Sequence, residues 1–209
     1  GFAIFDLSKV HMYWFHYDVT LKRYPRDSLS ICYMDTDSFV YQIKTLGVYR
    51  DMIEHLAFFD TSNFPKDHPC YSENNYKVMG TLKDETGGDP IVEFCGLRSK
   101  MYQYRTLLKM DMRCKGVQRC VVTKTITPAD YVRSLYQNLD IYRRMRLIKS
   151  LNHELYSVEI KKKALSRGTA TSRCTLTARW PSKQRAFLKI PTRTALTRRP
   201  LRCCRRAST

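Results

Sequence analysis

The chain has 209 residues, of which 43% are hydrophobic, so it is long enough for one domain or slightly more with a buried core. It contains no apolar run of about 18 residues, which argues against a membrane-spanning helix. The formal net charge is +18, but its distribution is uneven. Residues 1–160 carry 22 Lys and Arg against 19 Asp and Glu, whereas residues 161–209 carry 15 Lys and Arg and no acid.

The cysteines and the first residue bear on the type of protein. None of the eight cysteines is in C-x-x-C spacing, so we expect free thiols in a reducing, intracellular compartment rather than a zinc site or a disulfide scaffold. The chain begins at Gly1 without a basic-then-apolar leader, and we interpret it as a fragment.

The first predicted element is a helix over residues 6–21, which ends before Pro25. Apolar residues recur there in one stripe at helical spacing. The stripe consists of Val10, Trp14, Tyr17 and Leu21. Two runs rich in β-branched and aromatic residues follow, at 29–34 and 38–43, and predict a hairpin around a short polar stretch.

Further along the chain, helix and strand signals alternate. A short helix is predicted over 48–57 and a loop over 60–69. Two strands are predicted between residues 76 and 104, on either side of a glycine-rich turn. A strand is then predicted over 117–126 and a helix over 128–138, with Thr127 as its N-cap. The order predicts an α+β fold with an antiparallel sheet.

The polar stretch of the first hairpin carries two carboxylates, Asp35 and Asp37. In an extended strand, residues two apart point to the same side, so both carboxylates could serve one ion. Such oxygens suit Mg²⁺ when it also holds substrate phosphates. A solvated hairpin turn is the simpler alternative, because Asp and Thr favour turns. A glycosyltransferase that uses Asp-x-Asp with a divalent ion is a second alternative, although nothing like a nucleotide-sugar domain precedes the motif.

The segment Tyr33-Met34-Asp35-Thr36-Asp37-Ser38 resembles motif C of the family B DNA polymerases, which forms a hairpin in the palm domain. The resemblance implies that Asp37 is a principal metal ligand and that Asp35 supports it electrostatically. It also implies that Tyr33 and Thr36 lie near the primer terminus. The cofactor implied is Mg²⁺, and the substrates implied are a DNA primer-template and deoxynucleoside triphosphates.

A second segment, Gly96-Leu97-Arg98-Ser99-Lys100-Met101-Tyr102, resembles the K-x-Y region downstream of motif C in the same family. The resemblance implies that Lys100 and Tyr102 bind DNA at the primer-template junction. Alternation along a strand would place both on one face, where an ammonium can contact a phosphate and a ring can pack on a sugar or base. An exposed lysine on an ordinary strand is the alternative.

The stretch at residues 83–88 and the order of elements are similar to the protein-primed branch of the family, including linear-plasmid, adenoviral and Maverick/Polinton polymerases. The resemblance runs from Gly1 to about Arg167. It implies a partial palm over 1–115 and a partial thumb over 116–167, with a terminal protein as a further partner and a nuclear or viral replication compartment. The motif A carboxylate and the motif B lysine lie upstream of motif C in the family, and this chain does not contain them.

Residues 168–209 are rich in Arg, Thr and Ser and lack any acid, so we expect a disordered basic tail outside the fold. Two explanations remain open for this tail: a frameshifted translation product, or a functional basic arm for DNA. The alternative function for the whole chain is a decayed or repurposed protein that binds nucleic acid and catalyses nothing.

Overall fold

A computed structural model describes residues 2–168 and the backbone of residues 173–175 and 186–191. The helical elements are α1 (Phe2–Trp14), a π-helical segment (Phe15–Thr20), α2 (Leu21–Arg23), α3 (Val48–Ile53), a 3-10 turn (Leu56–Phe58), α4 (Arg119–Thr125) and α5 (Pro128–Tyr136). The strands are β1 (Leu29–Asp35), β2 (Ser38–Ile43), β3 (Phe59–Asp60), β4 (Leu82–Lys83), β5 (Ile91–Arg98), β6 (Met101–Thr106), β7 (Met110–Cys114), β8 (Ile141–Leu151), β9 (Glu154–Leu165), β10 (Arg173–Thr175) and β11 (Ala186–Pro191). The predicted α+β class with an antiparallel main sheet is confirmed.

The N-terminal helix is longer than predicted, and it buries a different face. Helical structure runs without a break from α1 through the π-helical segment to α2. Met12 and Phe15 are buried, whereas Val10 and Tyr17 of the predicted stripe are 64% and 58% exposed. The predicted helix is confirmed, but the apolar stripe is not the face that packs in the core. Apolar residues occur on all sides of this helix, so periodicity could not select the side that packs against the sheet.

The main sheet is built around the predicted hairpin. β1 and β2 pair antiparallel from Leu29 opposite Ile43 to Asp35 opposite Ser38. The strand order is β1-β2-β11-β5-β6-β7, and β10 pairs separately with β5. The α1 side of the sheet holds one buried cluster, and the α4–α5 side holds another. The hairpin prediction is confirmed, because its alternating apolar residues and short polar turn are local signals.

Two segments of the C-terminal region lie in this sheet. β11 pairs antiparallel with β2 and also contacts β5, and β10 pairs antiparallel with β5. These two segments differ from the expectation that all of 168–209 lies outside the fold. β11 pairs with β2 along its whole length but with β5 only where Phe187 lies opposite Ile91, so it mainly covers the edge of β2. The rest of the range lies outside the described residues.

The strand predicted over 117–126 is wrong, because α4 occupies most of it. Val122 and Ile126 lie four residues apart and are both buried against the cluster that contains Tyr131. Burial on this helical spacing outweighs the strand preference of β-branched residues. The helix predicted next is confirmed as α5, with the capping box of Thr127 and Asp130 at its start.

After α5 the chain forms a long two-stranded ribbon, β8–β9, which is paired to no other described strand. Its base is attached to the helices, since the Arg143 guanidinium donates to the Thr125 carbonyl and to Asp130. Toward its tip, Ile148 and Leu155 are exposed. In the described part of the chain, no helix is long and apolar enough to cross a membrane.

Candidate active site

The two predicted carboxylates lie at the β1–β2 connection. Asp35 is the last residue of β1, and Asp37 belongs to the two-residue turn that precedes Ser38. Thr36 has a φ of +46°, so the turn begins in the left-handed region. The expectation that strand alternation aligns the two carboxylates is therefore wrong, because Asp37 is not in a strand. The tight turn keeps the carboxylates near each other instead.

Lys100 forms a hydrogen bond and an ion pair with this hairpin. Its backbone N–H donates to the Tyr33 hydroxyl at 2.8 Å, and its Nζ lies 3.7 Å from Oδ2 of Asp35. The Tyr33 hydroxyl in turn donates to the same carboxylate at 3.4 Å. Lys100 has a φ of +60° and lies in the β5–β6 turn, so it is not on a strand as predicted. The turn projects Lys100 toward the carboxylates.

Two irregularities in strand pairing lie beside these contacts. The β1–β2 register shifts between Ile31 and Tyr33, and the β5–β6 register shifts between Gly96 and Arg98. A bulge inserts an extra residue, bends the strand and redirects the side chains that follow. Each shift comes directly before a residue of the site, Tyr33 in one strand and the Ser99–Lys100 turn in the other.

Tyr102 packs against Tyr33 and so supports the site. It is 7% exposed, and its ring centroid lies 4.7 Å from that of Tyr33 and 5.9 Å from that of Phe94. Aromatic pairs at such distances add to the stability that burial provides. Most of Tyr102 therefore packs in the core, and only a small part of its surface lines the cleft where Lys100 lies.

The cleft has a volume of about 400 Å³ and combines residues from four parts of the chain. It is lined by Asp35, Ser38, Glu85, Lys100, Tyr102, Arg113, Cys114 and Lys115. Three of the six predicted site residues, Asp35, Lys100 and Tyr102, thus meet in one cavity. Glu85 was not predicted as a site residue. Its segment, 83–88, was noted only as part of the family resemblance, and no local pattern distinguishes Glu85 from a solvent-exposed glutamate.

A buried aspartate fixes the turn that presents Glu85. Asp84 is 1% exposed and accepts hydrogen bonds from the backbone N–H groups of Thr86 and Gly88. It also accepts from the hydroxyls of Thr86 and Tyr49. Burial raises the pKa of Asp84 above its ordinary value, and these hydrogen bonds oppose the increase. Because Thr86 and Gly88 are both hydrogen-bonded to Asp84, the turn that carries Glu85 has a fixed course.

Acidic charge accumulates around Asp37. Burial raises its pKa above the ordinary value, and repulsion from Asp35 and Glu85 raises it further. Lys100 acts in the opposite direction. Such a group of interacting carboxylates is costly when all are ionised, and a bound cation would relieve the repulsion.

In the described part of the chain, no three His, Cys, Asp or Glu residues come close enough together to hold a metal ion by themselves. Mg²⁺ commonly uses only one or two protein carboxylates, with water and substrate phosphates completing its shell. The carboxylates of Asp35 and Asp37 fit that partial role. Glu85 lines the same cleft as Asp35 and could add a further oxygen.

Comparisons of this chain with protein-family models, with curated proteins and with solved structures found no match. No homologue therefore bears on the polymerase resemblance of its motifs. The function has to be argued from the residues and geometry of the cleft.

Proposed function

We propose that this chain is part of a family B DNA polymerase of the protein-primed type, and that it supplies the motif C half of the palm site and part of the thumb. The main support is the geometry around Asp35. Tyr33 and Lys100 are 67 residues apart in sequence, and both contact this carboxylate. These are the residues for which the motifs independently predicted a common site.

The reaction of the complete enzyme is template-directed nucleotidyl transfer. The primer 3′-hydroxyl gives up its proton to solvent and attacks the α-phosphorus of a deoxynucleoside triphosphate. A new P–O bond forms, the bond from the α-phosphorus to the oxygen that bridges it to the β-phosphorus breaks, and pyrophosphate leaves with the electrons of that bond. Mg²⁺, when bound, supplies positive charge to the phosphate oxygens. In the proposed roles, Asp37 and Asp35 hold the metal, and the Lys100 ammonium contacts a phosphate at the primer terminus.

Other cations near the cleft suit a phosphate-rich substrate. Arg113 and Lys115 line it together with Lys100, so three cations and two carboxylates, those of Asp35 and Glu85, line one cavity. The Arg113 guanidinium is held by Asp111, with Nε 2.9 Å from Oδ2. A site with both charge signs can bind a metal ion and the phosphates that the ion neutralises.

The β8–β9 ribbon supports the proposed thumb role. Arg144 lies directly opposite Lys161, and Arg144 also forms an exposed ion pair with Glu159 at 3.6 Å. Like charges at directly opposite positions of a ladder destabilise it, and a polyanion between them would remove the penalty. The backbone of duplex DNA is such a polyanion, and its binding would release counterions.

The chain holds only half of the proposed catalytic machinery. The motif A carboxylate and the motif B lysine would come from upstream residues, and we expect no primer extension by the isolated chain. Metal binding at the hairpin is the more direct test. Paramagnetic Mn²⁺, which can replace Mg²⁺, should broaden the NMR signals of residues 35–38 and of Glu85 in the isolated chain.

Asp37→Asn should greatly reduce that broadening, whereas Asp67→Asn, in an exposed loop, should leave it unchanged. The metal assignment is contradicted if the hairpin signals are not broadened, or if they are still broadened in Asp37→Asn. With an upstream polymerase half supplied, Asp37→Asn should also lower extension by on the order of 100-fold or more. DNA binding should persist in this variant, because the substitution removes no cation.

A non-catalytic nucleic-acid-binding protein is the second candidate. The observation that favours it is the charge of residues 161–209, with 15 Lys and Arg and no acid. It predicts that DNA binding persists while the hairpin binds no Mn²⁺. The same titration therefore separates the two functions.

A further inference from the structure

The turn that carries Glu85 to the cleft follows the two-residue strand β4. β4 pairs in parallel with β3, so that Phe59 lies opposite Leu82 and Asp60 lies opposite Lys83. Backbone pairing over two residues contributes little stability by itself. The position of the turn therefore depends on the contacts that the surrounding side chains make with it.

The two paired strands end in the same kind of aspartate turn. Asp60 accepts hydrogen bonds from the backbone N–H and the hydroxyl of Ser62, at 3.1 and 2.6 Å. Asp84 accepts the equivalent pair from Thr86, at 2.9 and 2.6 Å. Both aspartates are buried, and such bonds fix the backbone two residues further on. The first turn does not line the cleft, whereas the second presents Glu85 there.

Asn63 connects the first turn to the second. Its side-chain amide donates a hydrogen bond to the carbonyl oxygen of Asp84 at 2.8 Å. The same oxygen accepts a longer bond, at 3.3 Å, from the backbone N–H of Gly87. This carbonyl belongs to the planar peptide group that also contains the Cα of Glu85. The contact from Asn63 therefore restrains the point from which the Glu85 side chain projects.

The loop that begins at Asn63 also packs closely against the end of the second turn. A Cβ added at Gly87 would lie 3.3 Å from both the side-chain nitrogen and the backbone oxygen of Asn63. A Cβ added at Gly88 would lie 3.1 Å from the His68 ring, which itself packs edge-to-face on Phe64. The backbone of the turn thus lies directly against this loop, with no space for a side chain between them.

An ion pair connects the same two segments on the other side of Glu85. Nζ of Lys83 lies 3.8 Å from Oδ2 of the buried Asp60. Attraction between opposite charges is stronger where water is excluded, and removal of one partner leaves the other charge uncompensated. Residues 60–63 therefore contact the turn both before Glu85, at Lys83, and around it, at the Asp84 carbonyl.

We propose that Asn63 and Asp60 are positioning residues of the candidate active site, which hold Glu85 at the carboxylate cleft and do not enter the cleft themselves. Asn63 restrains the peptide group that precedes Glu85, and Asp60 restrains Lys83. The proposal rests on the proposed function, because that function gives the position of Glu85 its importance. It assigns a role in the site to a loop that the sequence predicted only as a connection.

A purely structural role is the alternative, in which the loop stabilises the domain and has no particular effect on Glu85. Loss of the Asn63 hydrogen bond would lower the free energy of unfolding under either role. The distribution of the contacts favours positioning, because they converge on the residues that immediately surround Glu85. Only positioning predicts that Glu85 moves relative to the hairpin carboxylates while the fold persists.

The first measurement is amide hydrogen exchange of Asn63→Asp, with EDTA present so that no metal takes part. The substitution keeps the size of the side chain but replaces its donating amide with an acceptor that repels the Asp84 carbonyl. The amides of Thr86 and Gly88, both bonded to the Asp84 side chain, should exchange about tenfold faster relative to those of β2. Asn63→Ala, which introduces no repulsion, is the second variant, and Asp60→Asn should act in the same direction.

The second measurement separates positioning from stability. Mn²⁺ bound at the hairpin should broaden the NMR signals of residues 35–38 and of Glu85 in the parent chain. In Asn63→Asp the broadening of residues 35–38 should persist, because both metal-binding carboxylates remain, whereas that of Glu85 should be lost. Paramagnetic broadening falls steeply with distance, so displacement of the turn is sufficient for this loss.

Asn75→Asp is the matched control. The Asn75 side chain donates to the carbonyl oxygens of Leu56 and Phe59, at 2.9 and 3.0 Å. The substitution therefore removes hydrogen bonds of the same type without a contact to the 83–88 turn. It should lower stability but leave both measurements at the turn as they are in the parent chain.

The proposal is overturned if the turn amides exchange at the parent rate in Asn63→Asp, or if Asn75→Asp accelerates them equally. It is also overturned if Glu85 remains broadened in Asn63→Asp. If Mn²⁺ broadens no hairpin signal in the parent chain, the metal-binding function fails by itself. The exchange measurement alone then decides whether Asn63 holds the turn.

Discussion

The Tyr33 hydroxyl accepts a hydrogen bond from the backbone N–H of Lys100 at 2.8 Å and donates one to Asp35 Oδ2 at 3.4 Å. One side chain therefore connects the β5–β6 turn with the end of β1. Lys100 adopts a left-handed backbone conformation with φ at +60°, which costs a non-glycine residue energy. The bond from Tyr33 helps to hold that conformation and keeps the Lys100 ammonium beside the carboxylates.

The first prediction concerns Tyr33→Phe. The substitution preserves the ring that packs on Tyr102 but removes the acceptor for the Lys100 N–H. We expect a loss of about 1 kcal/mol in the free energy of unfolding, measured by urea denaturation. The Lys100 amide should also exchange faster with solvent. Tyr13→Phe, on the exposed side of α1, is the control, and an equal loss in both variants would contradict the linking role.

The second prediction concerns Glu85→Gln. Burial, Asp35 and Glu85 together raise the pKa of Asp37, so removal of the Glu85 charge should lower that pKa toward its ordinary value. Lys100→Ala should raise it further, because the Lys100 ammonium opposes the shift. A ¹³C NMR titration of the aspartate carboxyls measures both changes. Glu154→Gln, at the ribbon tip, should leave Asp37 unaffected; if it acts like Glu85→Gln, the effect is not local.

The third prediction concerns DNA affinity. Lys100→Ala should weaken binding to a primer-template and reduce the slope of log K against log salt by about 0.9, the value for one lost phosphate contact on duplex DNA. Fluorescence anisotropy at several salt concentrations measures both quantities. Lys66→Ala removes the same charge outside the cleft. If the two variants have the same slope as the parent chain, Lys100 contacts no phosphate.

The fourth prediction concerns Gly116, in the turn between β7 and α4. Its φ is +76°, and an added Cβ would meet the Lys162 Nζ. We expect Gly116→Ala to lower the free energy of unfolding by about 1–2 kcal/mol through backbone strain. The loss should be nearly the same in a Lys162→Ala background, because the end of a lysine side chain can move aside.

Gly47→Ala serves as the control for Gly116→Ala. The Gly47 backbone is extended, and an added Cβ would make only an ordinary contact with Arg50. Gly47 is the N-cap of α3, so the effect of alanine on the denaturation midpoint should be limited to that of a weaker cap and smaller than that of Gly116→Ala. A large rescue of Gly116→Ala by Lys162→Ala would show instead that the steric contact dominates.

Local sequence signals were sufficient for several elements. The β1–β2 hairpin followed from two apolar runs around a polar turn, and α5 followed from Thr127, Pro128 and Asp130 at its start. Each of these signals involves residues a few positions apart. Their hydrogen bonds and side-chain contacts form within the element, so the rest of the chain has little influence on them.

Other features depended on residues distant in sequence. The α4 helix replaced a predicted strand because Val122 and Ile126 pack with Tyr131. The N-terminal helical segment buries Met12 of α1 and Phe15 of the π-helical segment, not the apolar stripe noted in the sequence. In both cases the local sequence is compatible with more than one conformation or more than one buried face. The surface against which the element packs determines which of them forms.

In the candidate site, too, some residues could be identified from the sequence and others only from the tertiary structure. The sequence alone identified Tyr33, Asp35, Thr36, Asp37, Lys100 and Tyr102 through two motifs, and their catalytic and DNA-binding roles stay predictions. Only the tertiary structure placed Glu85 in the cleft of Asp35 and put Lys100 in a turn. Motifs record which residues are present, but electrostatic repulsion, cavity shape and hydrogen bonds depend on distances across the fold, and chain packing sets those distances.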